Sequence, residues 1–199
     1  MKESVKIALS KKLSYILRHD TDVLRDEGGW VRVEYIKDKD IIQSLDEIVS
    51  TSEKNRFEYD KYSGRIRARQ GHSVKNISED ELLTPLSMDS EGKLNGYQYA
   101  VHSTFKKSIP QIRASGGLSK MKRNHIHMVL AEYNDIQSLN HNSNIGISGL
   151  RKNADAYIAI NLQQAVTLGC TFFLSSNGVL LSAGNKNGCI PWDCCILFC

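Results

Sequence analysis

Between residues 56 and 69 the chain alternates, turns and alternates again: Arg56-Phe57-Glu58-Tyr59, then Asp60 to Gly64, then Arg65-Ile66-Arg67-Ala68-Arg69. Period-two patterning on both sides of a short polar turn predicts a β-hairpin. Its buried face needs a partner, and the preceding residues offer one. With Ser10 to His19 taken as a helix, Leu9, Leu13, Ile16 and Leu17 fall on one side. That helix should end near Asp20. Gly28-Gly29-Trp30-Val31-Arg32-Val33 reads as a turn and a short strand. Asp40 is expected to cap a further helix whose apolar side is Ile41, Ile42, Leu45, Ile48 and Val49.

Helices followed by a hairpin in so short a stretch resemble a winged helix, a fold often used on nucleic acids. The first helix adds a second signal. Lys11, Lys12, Tyr15, Arg18 and His19 occupy its other side, and none is acidic. A solvated face normally mixes signs. An arginine–histidine pair can hold an anion and also move a proton. An ordinary solvated face is the alternative at this point.

Asn76 to Asn95 is polar and acidic with a proline, the pattern of a linker. Strand signals then dominate. Tyr97 to His102 alternates. Ser108 can cap a short helix carrying Pro110, ended by Gly116-Gly117. His125 to Ala131 and Ala156 to Ile160 read as strands, and Asn161 to Leu168 as a short helix. Thr171 to Leu174 and Val179 to Leu181 flank the turn Ser175-Ser176-Asn177-Gly178. Cys189 to Cys199 is expected to be a closing strand. The expected class is α+β, with one domain over residues 1–90, linker included, and a second over 91–199.

Charge divides along the same line. Residues 1–90 hold 16 Lys+Arg and 17 Asp+Glu, whereas residues 91–199 hold 10 and 5. The second half lacks internal partners for its cations, so either an anionic ligand complements them or the surface is merely basic. Five cysteines crowd the C-terminal part as Cys170, Cys189, Cys194, Cys195 and Cys199, without paired CxxC spacing. Reduced, buried thiols in a cytoplasmic protein are the expectation. No apolar run is long enough for a membrane span, and the first residues lack a secretion-like core.

Negative motif evidence narrows the chemistry. The chain contains no GxxxxGK[ST] phosphate loop, no GxGxxG turn, no HExxH and no GxSxG. The acid-poor second half has no obvious catalytic carboxylate pair. What remains is basic. Arg123-Asn124-His125-Ile126-His127 sets an arginine at the mouth of a strand with two imidazoles on one face. Those imidazoles could hold a metal, given a third ligand, or line an anion or nucleotide pocket. Arg69-Gln70-Gly71-His72-Ser73 closes the hairpin.

Seven motifs now stand in order: Leu13-Ser14-Tyr15-Ile16-Leu17-Arg18-His19, Arg56-Phe57, Gln70-Gly71-His72-Ser73, His102-Ser103-Thr104, Arg123-Asn124-His125-Ile126-His127, Ser148-Gly149-Leu150-Arg151 and Ser176-Asn177-Gly178-Val179. The ordered set resembles the NAD-dependent RNA 2′-phosphotransferase family of the KptA type, over nearly the whole chain. The resemblance implies a winged-helix-like N-terminal domain for RNA binding and catalysis. It implies an ADP-ribosyltransferase-like C-terminal domain that binds NAD. The implied catalytic residues are Arg18, His19, Arg56 and Arg123, meeting in an interdomain cleft. The implied NAD-binding positions are His102, Ser103, Thr104, Gly117, His127, Ser148 and Arg151. Lys11, Lys12, Arg67, Gln70 and His72 are read as contacts to RNA or phosphate. NAD is consumed as a co-substrate, no metal is needed, and a monomer is expected.

The implied reaction has two steps. The RNA 2′-phosphate attacks the nicotinamide ribose of NAD and expels nicotinamide. A ribose hydroxyl of the attached ADP-ribose then attacks the linking phosphorus, releasing 2′-OH RNA and ADP-ribose 1″,2″-cyclic phosphate. Phosphate is already an anion, so the first step asks for orientation, which planar guanidinium forks provide. The second asks for proton transfer and charge stabilisation, which an imidazole and the arginines suit. The chain departs from the family pattern at Ser103, where glycine is usual and the pocket should be narrower. It departs also at Arg69, Leu150 and Thr21, where asparagine, methionine and proline are usual. Two other activities fit the same residues: capping of terminal nucleic-acid phosphates with ADP-ribose, and RNA binding without catalysis.

Overall fold

Helix α1 (Glu3–His19) begins well before Ser10 and presents Leu13 and Leu17, both fully buried, to the core of the first unit. It is followed by β1 (Val31–Arg32) and a single 3-10 turn. The computed structural model describes residues 1–139, 149–151 and 153–198. Helices α2 (Lys39–Gln43) and α3 (Leu45–Ser50) come next, then β2 (Phe57–Asp60) and β3 (Arg65–Ala68). The predicted hairpin is present, with Phe57 opposite Ala68 and Tyr59 opposite Ile66. β1 joins its other side to give the order β1-β3-β2. Leu13, Leu17, Val31, Ile41, Ile48, Phe57 and Ile66 form one core. Burying each such side chain is worth roughly 2 kcal/mol, which is what closes the helices onto the sheet.

The helix cap lies two residues earlier than expected. Asp38, not Asp40, accepts the backbone N–H groups of Asp40 and Ile41, at 3.0 and 3.1 Å. An N-cap oxygen must reach the amides two and three residues on, and only Asp38 stands at that offset. The helix is also interrupted at Ser44, whose amide donates to the Asp40 and Ile41 carbonyls. The predicted single helix is therefore two.

Residues 76–95 are not an unstructured linker. They include α4 (Glu79–Leu82) and β4 (Leu83–Leu86), and Leu82, Leu83 and Leu94 are buried. The acidic residues dominate the average composition and conceal these few apolar positions. The chain packs as two compact units, Met1–Leu83 and Thr84–Cys199.

In the second unit β5 (Tyr99–Thr104) leads through a 3-10 turn to α5 (Ile109–Ala114) and β6 (Gly117–Ser119). β7 (Ile126–Ala131) and α6 (Tyr133–Leu139) precede β8 (Ala156–Asn161) and α7 (Leu162–Thr167). The predicted hairpin of β9 (Thr171–Ser175) and β10 (Leu180–Gly184) follows. The expected closing strand is two pieces, β11 (Cys189–Pro191) and β12 (Cys195–Phe198), separated by a 3-10 turn at Trp192–Cys194. They serve different sheets. β11 pairs with β6, while β12 pairs with β8 at one edge of the order β12-β8-β5-β7-β10-β9-β4.

β5 is an interior strand, antiparallel to both β7 and β8. Ala100 on it belongs to a core with Ile126, Met128, Ile158 and Leu180. The next residue, Val101, belongs to a second core with Ala131, Ile136, Leu150, Tyr157 and Ala159. Both faces of the sheet are thus covered, and the alternation read in Tyr97 to His102 sends alternate residues of β5 into the two cores. The mixture of helix and strand is in keeping with the α+β class. No described helix is long and apolar enough to cross a membrane.

The β6–β11 contact depends on one missing side chain. Gly117 has φ +148°, and a Cβ there would lie 2.0 Å from the Ile190 carbonyl oxygen. Gly116, at φ +84°, faces open space. Gly117→Ala is expected to cost about 3 kcal/mol or more in urea unfolding, and Gly116→Ala about 1 kcal/mol. Equal costs would show that the strand contact is not what demands glycine.

Candidate functional site

In the first unit the residue types expected to act on phosphate meet through one short segment. The ladder beyond β2 and β3 continues with the Arg69 amide donating to the Arg56 carbonyl at 3.0 Å. The Arg56 amide in turn donates to Ser52 Oγ at 3.1 Å. Four residues further, the Ser73 amide donates to the Arg18 carbonyl at 3.0 Å. His19 Nδ1 and the Ser73 hydroxyl share a hydrogen bond of 2.9 Å. The segment 69–73 therefore ties the end of α1 to the start of the hairpin. Tyr15, one turn before His19, brings its ring to 5.7 Å from the imidazole. Arg18, His19 and Arg56 are all partly exposed.

Other basic residues of this unit are engaged with its own groups. Arg67 reaches Glu58 through Nε and Nη2 at 3.0 Å, and the carbonyls of Gly28 and Glu81 through Nη1 at 3.1 and 3.3 Å. Its guanidinium also covers the Trp30 ring, 4.5 Å from the centroid. These contacts fasten the hairpin and account for all three guanidinium nitrogens. Lys12 pairs with Asp38, the residue that caps α2. Lys11 is exposed, Gln70 is half-buried, and His72 is buried beside Gly29. Where an arginine has a local carboxylate, its charge is already answered, as that of Arg67 is by Glu58.

The second unit gathers a different group. His102 on β5 points its Nδ1 at the His127 carbonyl on β7, 2.8 Å away. A carbonyl only accepts, so Nδ1 carries the hydrogen and the neutral ring keeps Nε2 as an acceptor. Arg123 stands just before β7, with Nη1 3.5 Å from His127 Nδ1. Arg151 comes from the chain ahead of β8, and its guanidinium lies 5.3 Å from the centroid of Phe105. Burial, and then the nearby charges of Arg151 and Arg123, lower the pKa of His102 against the opposing pull of its hydrogen bond to His127. Partial burial and the Arg151 charge likewise lower the pKa of Arg123. Among the described residues no carboxylate forms an ion pair with either arginine. Two guanidinium groups set close together can hold an anion such as phosphate, and the Nε2 of His102 can accept from a hydroxyl.

Three further positions have definite places. Ser103 is buried, and its Oγ accepts the Arg151 amide. Thr104 is buried and its carbonyl accepts the Asp155 amide at 3.2 Å. Gly117 is set by its contact with Ile190. Ser148 lies outside the described residues. His125 is buried edge-on to Phe173, with ring centroids 5.9 Å apart. Among the described residues no three His, Cys, Asp or Glu side chains come together to hold a metal. Cys170 and Cys194 are buried thiols, Cys189 and Cys195 are partly buried thiols, and burial pushes Cys170 up to about 12.

Sequence reasoning missed two contributors. Phe105 supports Arg151, and Asp155 accepts the Lys106 amide at 2.7 Å, holding the chain beyond β5. The available signal for Asp155 was its rarity, as one of 5 acids in residues 91–199.

Residues 4–184 match the RNA 2′-phosphotransferase, Tpt1/KptA family. The tRNA 2′-phosphotransferase 1 of Danio rerio is 34% identical over 198 residues, covering 94% of this chain and 82% of its own. That of Mus musculus is 35% identical over 194 residues, covering 92% and 72%. The tRNA 2′-phosphotransferase of Saccharomyces cerevisiae is 29% identical over 197 residues, covering 92% and 80%.

The lowered pKa of His102 gives a signed expectation. As pH falls below 6.5, the unfolded chain takes up a proton that the folded ring resists, so stability declines. Between about pH 7.5 and about pH 5.5 the melting temperature should fall less in His102→Gln than in the unaltered chain. Equal falls would show that His102 does not contribute.

Proposed function

This chain belongs to the RNA 2′-phosphotransferase, Tpt1/KptA family, and from that premise we propose that it removes an internal 2′-phosphate from RNA, of the kind left at a tRNA splice junction. The phosphate is transferred to NAD through an ADP-ribosylated RNA 2′-phosphate. The products are 2′-OH RNA, ADP-ribose 1″,2″-cyclic phosphate and nicotinamide. The observation that carries this reading is the acid-free meeting of Arg123, Arg151, His102 and His127. Such a site suits the diphosphate of a dinucleotide, and the family match supplies the RNA substrate class. The first unit is read as winged-helix-like and the second as ADP-ribosyltransferase-like, in a monomeric cytoplasmic protein that uses no metal.

Each residue has a task set by its chemistry. Arg18, Arg56 and Arg123 are each assigned to phosphate by their chemistry: the 2′-phosphate is an anion near neutral pH and needs no strong base to react, only orientation, which a guanidinium fork provides. A guanidinium also stabilises charge that develops on phosphoryl oxygens in the second step. His19 moves the proton of that step, with the Ser73 hydroxyl on Nδ1 fixing how its ring is turned. His102 holds the dinucleotide through its Nε2 acceptor, and Arg151 offers its charge to a substrate phosphoryl group.

Incubating the protein with a 2′-phosphorylated RNA oligonucleotide, with and without NAD, should give dephosphorylated RNA and the cyclic phosphate only when NAD is present, read by mass spectrometry. Product formed without NAD, or an ADP-ribose cap that is never released, would overturn the assignment. In His19→Ala the ADP-ribosylated RNA 2′-phosphate should accumulate, because the second step loses about 100-fold or more. Loss of RNA binding with no such species would remove the proton-transfer role. Arg123→Lys keeps the charge but not the planar fork, and turnover should fall by about tenfold or more. Near-normal turnover would count against the clamp.

A further inference from the structure

Arg151 is placed beside another cation, and something must hold it there. Its charge and that of Arg123 repel, so an unrestrained side chain at the surface would turn outward into water. The backbone around it is fixed from several directions. Gly149 packs against β7 so closely that a Cβ would meet Val129 Cγ2 at 2.8 Å and the Met128 carbonyl oxygen at 3.0 Å. Leu150 is buried in the core that holds Val101 and Tyr157. The Arg151 amide donates to Ser103 Oγ on β5. Its carbonyl accepts the Ala154 amide at 3.4 Å. Phe105, two residues after Ser103, lies beneath the guanidinium.

Most of these contacts are backbone or bulk packing. The bond to Ser103 is the one made by a polar side chain, and it acts on Arg151 directly. Ser103 is 3% exposed, so its hydroxyl touches no substrate itself. We propose that Ser103 is a positioning residue: its hydroxyl pins the Arg151 backbone to β5, so that the guanidinium stands over Phe105 as the second cation of the anion site and grips a substrate phosphoryl group. Phe105 completes the device by giving the guanidinium a flat surface to rest on. The inference rests on the activity proposed above, since it names a phosphoryl group of NAD or of the RNA as what Arg151 holds.

The test is a double-mutant cycle on the full chain, with Michaelis constants for NAD and for the 2′-phosphorylated oligonucleotide. Ser103→Ala should raise one KM about fivefold, the loss expected for one hydrogen bond, with a smaller fall in kcat. The substrate whose KM rises is the one whose phosphoryl group Arg151 grips. In an Arg151→Ala background the same change should have no further effect. Phe105→Leu should behave alike, with a rise of about threefold, and decides the matter if Ser103→Ala does not fold. An unchanged KM for both substrates, or an equal rise with Arg151 already removed, would overturn the proposal. Binding of inorganic pyrophosphate, by titration calorimetry, separates this failure from failure of the activity. A protein without turnover that still binds pyrophosphate more tightly than Ser103→Ala does refutes the activity and retains the positioning role. Equal binding by the two refutes the positioning role.

Discussion

The pairing of β5 with β7 on one side and β8 on the other is what the second unit depends on. β5 is matched to β8 residue by residue from Tyr99 to Thr104. With both faces of this strand buried, a shift of one residue would exchange Ala100 and Val101 between two different cores. Register is therefore fixed, and the site inherits that fixity. His102 reaches the His127 carbonyl, and Ser103 the Arg151 amide, only because the three strands are aligned in this way. A functional group carried on an interior strand of a sheet is held more precisely than one on a loop.

The two units answer their positive charges differently. In the first, Arg65 pairs with Asp26, Arg67 and Arg69 with Glu58, Lys12 with Asp38 and Lys61 with Asp46. Exposed pairs of this kind contribute little each. In the second unit, Arg123 and Arg151 stand near one another and near His102, and their charges oppose a further positive charge on the His102 ring. Charges of one sign placed together repel, and a bound anion would relieve that repulsion.

Several elements were legible because their signal is local. The hairpins at residues 57–68 and 171–184 follow from alternation and turn residues, and the end of α1 at His19 from the loss of its apolar stripe. Others were concealed. Leu82, Leu83 and Leu94 are too few to mark structure in an acidic stretch, yet they are buried. The residues 189–198 look like one strand because both pieces are apolar, and only their separate partners, β6 and β8, divide them. Asp38 and Asp40 are equally good caps by type, and geometry chose between them.

By itself the sequence determined the family, the α+β class and the residue types that could bind phosphate, because those depend on motif order, periodicity and charge. It marked Arg123, His127, His102 and Arg151 at positions far apart in the chain. Only the tertiary structure decided that these four converge within one unit, while Arg67 is spent on Glu58 and Trp30. It also decided that the Ser103 hydroxyl accepts the Arg151 amide. The physical reason is that strand register and hydrogen-bond partners are set by non-local packing. A residue's type states what it can do, and its neighbours across the sheet state what it does.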